Sequence, residues 1–166
     1  MKEWSTRKTN RLQSADYAKI GYYFITVCVK DKHEMLGEIH SDSRSAHVVL
    51  SEYGKIVRSA INNIPACYPG VAVDKYVIMP NHIHLLLYVS YGRLITCTPT
   101  SISTIVQQLK RYVSKQIGFS LWQKSFHDHI IRNKADYQRI AQYIDENPAN
   151  WADDCYFCNA HTCRGG

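Results

Sequence analysis

The sequence has no long apolar run, little proline and no internal repeat or low-complexity segment. Only five of its 166 residues are proline, and no apolar stretch approaches the ~20 residues that a helix needs to cross a bilayer. The opening residues, Met1 to Trp4, lead into a polar, basic segment without the apolar region of a secretory signal. These absences argue against a membrane protein, and we expect a soluble, cytoplasmic chain with no membrane partner.

The composition is that of an ordinary globular domain with a basic surplus. Hydrophobic residues make up 45% of the chain and charged residues 20%, which fits one domain with its own core. We divide residues 1–166 into a basic N-terminal arm (1–16), a core (about 18–150) and a cysteine-rich tail (152–166). The net charge of +6 is compatible with a polyanionic partner such as nucleic acid, although charge alone leaves this open.

Six cysteines raise the question of a disulfide or zinc site. Cys28 and Cys67 lie in strand-like or helix-end contexts, where cysteine behaves as a small buried hydrophobe. The tail run Cys155-x-x-Cys158-x-x-His161-x-Cys163 places four soft ligands within nine residues, which could surround zinc. Zinc modules usually separate two ligand pairs by a longer loop, so a reduced tail without metal is the alternative.

Hydrophobic periodicity predicts alternating strands and helices. β-branched and aromatic residues indicate strands, and apolar spacing of three and four indicates helices, the first capped by Ser51 and the last terminated at Asn147-Pro148. The predicted strands are 21–30, a short return at 35–39 with 48–50 on the same edge, 71–78 and about 82–89. The predicted helices run from Ser51 to before Pro65, over about 101–117 and over 136–146, with 121–133 as a connector. This order predicts an α+β fold, an antiparallel sheet of four to five strands with helices packed on it.

The strand at 82–89 carries two histidines separated by one apolar residue. Side chains alternate along a strand, so His82 and His84 share one face while Ile83, Leu85 and Leu87 point to the other. Two adjacent imidazoles can hold a metal ion, although the spacing is also compatible with two histidines that merely face solvent or a polar pocket.

The last helix adds a tyrosine and an amide. Tyr143 lies at the margin of its apolar stripe and Asn147, four residues later, lies near it on the same side. Periodicity alone also permits simpler roles: a boundary aromatic for Tyr143 and a helix-terminating residue for Asn147.

Basic and aromatic side chains supply candidates for contacts with nucleic acid. Phosphate contacts are predicted for the arm and for the polar face of the second helix, namely Arg7, Lys8, Arg11, Lys110, Arg111 and Lys115. Rings that could stack on unpaired bases are Trp122, Phe126 and Tyr112. A solvated face for the cations and core packing for Trp122 and Phe126 remain open. A second His-x-His, His127 and His129, is interpreted as structural or close to the DNA.

Three runs in order carry a resemblance to a known family: Met79-Pro80-Asn81-His82-Ile83-His84-Leu85-Leu86, the connector from Leu121 to Asn133, and Tyr143-Ile144-x-x-Asn147-Pro148. Over about residues 11–151 the chain resembles the HUH single-tyrosine transposases, and it is most similar to the REP-associated and insertion-sequence-type members. The resemblance implies a ferredoxin-like HUH nuclease core and single-stranded or hairpin DNA as partner. It also implies Mg²⁺ or Mn²⁺ on His82, His84 and Asn147, and Tyr143 as the nucleophile that forms a 5′-phosphotyrosine.

The implied chemistry agrees with the residue types. A divalent cation neutralises charge on phosphate oxygens, and a phenol with an ordinary pKa near 10 needs help to attack at neutral pH. Two alternatives of other classes are a hairpin-binding protein without catalysis and a zinc-dependent hydrolase of small molecules. Relatives act as monomers or as dimers, so a homodimer is possible.

Overall fold

The computed structural model describes residues 20–90 and 101–157. The strands are β1 (Gly21–Cys28), β2 (Gly37–Ser41), β3 (Ala46–Leu50), β4 (Val71–Ile78), β5 (His82–Val89) and β6 (His127–Ile131). The α-helices are α1 (Glu52–Asn62), α2 (Ile64–Cys67), α3 (Ile102–Ile117) and α4 (Lys134–Glu146), and 3₁₀ turns occupy Lys30–Lys32 and Trp151–Asp153. Within these ranges no helix combines the length and apolar character needed to cross a bilayer.

A four-stranded antiparallel sheet in the order β4-β5-β1-β6 forms the centre of the fold. β5 pairs with β1 along its whole length, from Cys28 opposite His82 to Gly21 opposite Val89. Every residue of β5 except Tyr88 is buried, because helices cover both faces of the sheet. The predicted α+β class is confirmed, and the antiparallel sheet, predicted with four to five strands, has four.

The two faces of the sheet carry cores of different size. The residues Ile83, Leu85 and Leu87 belong to the large apolar cluster that includes buried side chains of α1 and α3. On the opposite face Leu86 packs with Ile140 and Ile144 of α4 in a smaller cluster. The predicted alternation along β5 is therefore confirmed, and it turns the even-numbered residues of this strand towards α4.

Two segments differ from the sequence prediction. β2 and β3 pair with each other as a separate two-stranded sheet, with Gly37 opposite Leu50, instead of extending an edge of the main sheet. Residues 127–131, predicted as part of a connector, form β6 and pair with β1. β6 is an edge strand with partly exposed polar side chains, so it lacks the apolar run that marks a buried strand.

The helix boundaries follow local capping. Ser51 caps α1 by accepting a hydrogen bond from the amide of Gly54 (3.1 Å), and Gly118 ends α3 in the left-handed region (φ 94°). Asn133 accepts from the amide of Asp136 (2.9 Å), so α4 begins two residues earlier than predicted. Pro65 lies in the first turn of α2, where its missing N–H costs nothing.

Backbone hydrogen bonds anchor the turn between β4 and β5 to the rest of the fold. The amide of Leu36 donates to the carbonyl of Pro80 (2.9 Å), and the amide of Val29 donates to that of Asn81 (2.8 Å). Leu36 in turn accepts from the amide of Ser51 (3.0 Å) at the start of α1. The position of the strand that follows, with its two histidines, is thereby fixed from two sides.

This anchoring leaves no space at Gly54, where an added Cβ would overlap the carbonyl oxygen of Leu36. Glycine to alanine in an open helix stabilises by ~1 kcal/mol. We expect Gly54→Ala instead to lower the free energy of unfolding by about 2 kcal/mol, the usual range for overpacking. Urea unfolding measures the difference, with Ser59→Ala on the exposed face of α1 as the control. A Gly54→Ala protein as stable as the wild type would contradict the close approach.

Candidate active site

Two buried imidazoles on β5 form the centre of the site. The Nε2 atoms of His82 and His84 lie 3.0 Å apart, and the two residues are 0% and 1% exposed. Both rings face α4, on the side of the sheet with the smaller core. Two ring nitrogens at this separation converge on one point, which is what two ligands of a common ion require.

The other ring nitrogen of each histidine also has a partner. His82 Nδ1 lies 2.8 Å from the side-chain oxygen of Asn81, and His84 Nδ1 lies 2.8 Å from the hydroxyl of Thr26 on β1. Histidines that bind metals commonly use the second nitrogen in this way, because the hydrogen bond fixes the orientation of the ring. The surroundings of both rings therefore fit a metal site. The sequence offered no separate signal for Thr26 or Asn81.

Tyr143 projects from the edge of α4 to the histidine pair. Its hydroxyl lies 3.4 Å from His84 Nε2, and its ring lies 5.2 Å from that of His84 between centroids. Because Ile140 and Ile144 pack on the sheet, Tyr143 occupies the margin and stays 38% exposed. The structure thus brings together the tyrosine and the two histidines that the sequence singled out.

Asn147 is buried one turn after Tyr143. Its side chain donates a hydrogen bond through Nδ2 to Asp154 Oδ2 (2.9 Å), while its Oδ1 is buried and has no hydrogen-bond partner among the described residues. An unpaired buried oxygen costs ~1–3 kcal/mol. Such an atom is a suitable ligand for a hard divalent cation, which fits the predicted assignment of Asn147 to the metal shell.

Asp154 joins the site although it lies in the predicted cysteine-rich tail. Its Oδ2 lies 4.0 Å from His82 Nε2, and its side chain is 2% exposed. Together with His82 and His84 it offers three ligand atoms that all lie within 4.8 Å of one another. Nothing in the local sequence distinguishes Asp154 from Asp153, because its position depends on how the chain turns after α4.

The described end of the tail and the residue before it, Trp151, pack on His82. The ring of Tyr156 lies 4.5 Å from that of His82, and the ring of Trp151 lies 5.9 Å from it. Cys155 is an exposed free thiol, and its proposed zinc partners, Cys158, His161 and Cys163, lie outside the described residues. Cys28 is buried as expected. Cys67 is exposed instead, because the short helix α2 ends at the surface.

Burial keeps both imidazoles neutral. Loss of solvation lowers the pKa of His82 to about 4, although the nearby Asp154 carboxylate opposes this change. The pKa of His84 falls well below its ordinary value, first through burial and then through His82. A metal binds to the lone pair of a neutral imidazole, so the histidines are in the form that metal binding needs at neutral pH.

The same environment raises the pKa of Tyr143 to about 12. Burial is the first cause and the negative charge of Asp154 the second. Without a compensating positive charge, the phenol therefore stays protonated at neutral pH.

The predicted DNA contacts are spread over the molecule. Lys110 donates to the carbonyls of Gln123 (2.7 Å) and Ser125 (2.8 Å) and so holds the connector. Arg111 and Lys115 are exposed, but α3 lies on the face of the sheet opposite α4. Arg7, Lys8 and Arg11 lie outside the described residues.

The aromatic residues predicted to stack on bases differ in their exposure. Trp122 and Phe126 are 5% and 3% exposed because both belong to the large apolar cluster, and a bridge joins Trp122 to Val29. In this position neither ring is open to a base. Tyr112 is 50% exposed. On β6, His129 Nε2 lies 2.7 Å from Asp136 Oδ2, which fits the structural role predicted as one of two alternatives.

Comparison with known proteins places the chain in a family, although no family model matches it. An uncharacterized protein of Haemophilus influenzae is 31% identical over 168 residues, 89% of this chain and 91% of that protein. The REP-associated tyrosine transposase of Escherichia coli is 25% identical over 133 residues, 80% of this chain and 68% of that protein. The structure of a REP-associated tyrosine transposase bound to a REP hairpin shares the fold, with a TM-score of 0.62, 23% identity and coverage of 80% of this chain and 69% of that one.

The fold and the sequence relatives define the class of the single-tyrosine transposases. Within this class the chain is similar to the REP-associated tyrosine transposases, as the three motifs indicated.

The buried neutral histidines make the stability of the metal-free protein depend on pH. Between pH 6.5 and about 4 the unfolded chain takes up protons at these residues that the folded chain does not, so stability is lost as pH falls through this window. For His82 alone the loss is about 3 kcal/mol. We expect urea midpoints in EDTA to fall over this range for the wild type and for the exposed-site control His47→Gln. The His82→Gln/His84→Gln double variant should show a markedly flatter profile, and an equally steep one would contradict burial of the neutral rings.

Proposed function

We propose that this chain is a metal-dependent single-strand DNA endonuclease and strand transferase that acts on hairpin-flanked DNA. The observation that carries the proposal is the approach of the Tyr143 hydroxyl to the ring nitrogen of His84, 3.4 Å, beside a pair of neutral imidazoles. A nucleophile and a set of metal ligands that meet on separate elements, α4 and β5, suit attack on a phosphate held between them.

The residues that would hold the metal are His82 and His84 through Nε2, Asn147 through Oδ1 and Asp154 through its carboxylate. A mixed nitrogen and oxygen set without thiolate suits Mn²⁺ or Mg²⁺. When bound, the cation would neutralise charge on the phosphate oxygens and compensate the Asp154 charge that helps keep the phenol protonated. Zinc also accepts two histidines and a carboxylate, so the zinc-hydrolase alternative is decided by experiment.

Tyr143 would carry the covalent step. Its oxygen forms a bond to phosphorus while the bond from phosphorus to the 3′-oxygen breaks, and the phenol proton is lost as the leaving 3′-oxygen gains one. The products are a 5′-phosphotyrosine and a free 3′-hydroxyl. The phosphoester is retained on the protein, so a second 3′-hydroxyl can reverse the reaction and join strands without ATP.

The choice of DNA rests on the relatives and on charge. A structural neighbour is bound to a REP hairpin, and the chain carries a net charge of +6. Phosphate contacts by Arg7, Lys8, Arg11, Arg111 and Lys115 remain predictions, as does assembly of a homodimer. Lys110 would have to exchange its bonds to backbone carbonyls for phosphate.

Removal of the Tyr143 hydroxyl tests the nucleophile. With fluorescent DNA hairpins carrying randomised single-stranded flanks and Mn²⁺, the wild type should give cleaved strands and a labelled protein adduct on a denaturing gel. Tyr143→Phe should lower the yield of both by about 10³-fold or more, because phenylalanine has no oxygen to attack the phosphate. Tyr137→Phe, on the same helix with its hydroxyl bonded to Asp74, is the matched control.

Equal cleavage by wild type and Tyr143→Phe would exclude Tyr143 as the nucleophile. Hairpin binding without cleavage in Mn²⁺ or Mg²⁺ would favour the catalytically silent alternative. Tight binding of zinc without formation of a DNA adduct would favour the zinc-dependent hydrolase.

The proposed ligands can be tested by Mn²⁺ binding, measured from the electron paramagnetic resonance of the free ion. Asn147→Ala and Asp154→Asn should each weaken Mn²⁺ binding by about tenfold or more, since each removes a ligand or its charge. Glu146→Gln, an exposed neighbour, should leave the affinity unchanged. Unchanged binding in either test variant would remove that residue from the metal shell.

A further inference from the structure

The amide of Asn81 has a fixed orientation. Its Nδ2 donates to the carbonyls of Tyr156 (2.8 Å) and Lys32 (3.2 Å), and Asn81 itself is 1% exposed. Backbone carbonyls only accept hydrogen bonds, so the nitrogen of the amide must face them. The oxygen of the amide then faces Nδ1 of His82 at 2.8 Å.

This orientation determines where His82 carries its proton. A side-chain amide oxygen only accepts, so the hydrogen between the two atoms must belong to Nδ1 of His82. A neutral imidazole has one N–H, and His82 Nε2 therefore keeps its lone pair. That lone pair points at His84 Nε2, 3.0 Å away.

The proton on His84 follows from the same reasoning. Two facing lone pairs 3.0 Å apart would repel each other, so the hydrogen between the two rings belongs to His84 Nε2. Nδ1 of His84 then holds a lone pair and accepts from the hydroxyl of Thr26 at 2.8 Å. Without metal, the donors thus run in one direction, from Thr26 through His84 and His82 to Asn81.

The two ends of this chain of bonds differ in what they permit. Asn81 Oδ1 can only accept, whereas a threonine hydroxyl either donates or accepts. His82 is consequently held in one tautomer, while His84 can change tautomer if Thr26 reverses its hydrogen bond.

We infer that Asn81 is a positioning residue that commits His82 to the tautomer with a free Nε2, and that only His84 exchanges tautomers when a cation binds. In that exchange the proton leaves Nε2 of His84 and a proton arrives at Nδ1, so the net protonation is unchanged. The half of the inference that concerns the cation rests on the proposed metal site. The tautomer of His82 does not, since the protein fixes it without metal.

The experiment is ¹⁵N nuclear magnetic resonance of the histidine rings in the full chain at neutral pH. In EDTA we expect His82 protonated at Nδ1 and His84 at Nε2. With Zn²⁺ as a diamagnetic probe, His84 should move its proton to Nδ1 while His82 keeps its own. A metal-free His82 protonated at Nε2 overturns the inference, as does a change of tautomer at His82 on binding.

Variants separate the positioning role from a merely structural one. Asn81→Ala should let the His82 proton move from Nδ1 to Nε2. It should also weaken Mn²⁺ binding by about 10–100-fold, the usual effect of losing the partner of a ligating histidine. Asn81→Asp keeps an acceptor at the same place and should restore the Nδ1–H tautomer. Thr26→Val, which removes the partner of His84, should leave the His82 resonances in place.

The outcomes distinguish this inference from the proposed function. If no cation binds but Asn81→Ala moves the His82 proton, the metal site is wrong and the role of Asn81 stands. If Mn²⁺ binds and Asn81→Ala leaves both tautomer and affinity unchanged, the role of Asn81 is wrong and the metal site stands. Should Asn81→Ala lose its folded spectrum, the wild-type tautomers and Asn81→Asp still decide the question.

Discussion

The burial of two imidazole rings within hydrogen-bonding distance of each other is the constraint on which the site depends. An unprotonated ring nitrogen in an apolar interior needs a donor, and an N–H needs an acceptor. His82 and His84 meet this requirement through each other, Thr26 and Asn81. The burial that makes these bonds necessary also keeps the rings neutral. The same burial therefore suits both the packing of the fold and the binding of a metal by neutral imidazoles.

The sheet places this polar group where water does not reach it. β5 is covered on both faces, and its odd-numbered residues belong to the main core while the even-numbered ones face α4. A shift of one residue in the pairing of β5 with β1 would turn both histidines into the main core. The register of β5 with β1, and the bonds that hold the preceding turn to Leu36 and Val29, therefore determine the chemistry as well as the packing.

Much of the fold and part of the site could be predicted from the sequence, because both depend on local rules. Alternation in β5, the cap at Ser51 and the margin position of Tyr143 follow from the period of a strand or helix. β6 could not be recognised because an edge strand needs no apolar run. Asp154 and the amide geometry of Asn81 escaped prediction because they depend on contacts between segments distant in sequence.

The same limit applies to the aromatic residues. Trp122 and Phe126 are aromatic residues of the kind that stack on bases, yet both are buried in the large apolar cluster by contacts with segments distant in sequence. Such long-range contacts leave no periodic signal.

The two apolar clusters of the sheet have a mechanical consequence for the proposed reaction. α4 is held by the small cluster of Leu86, Ile140 and Ile144, whereas β5 is shared with the extensive core that includes α1 and α3. Elements with fewer buried apolar contacts open at lower free-energy cost. The helix α4, which would bear the attached DNA end, is therefore the more easily displaced part of the site. The histidines remain on β5, which the main core holds in place.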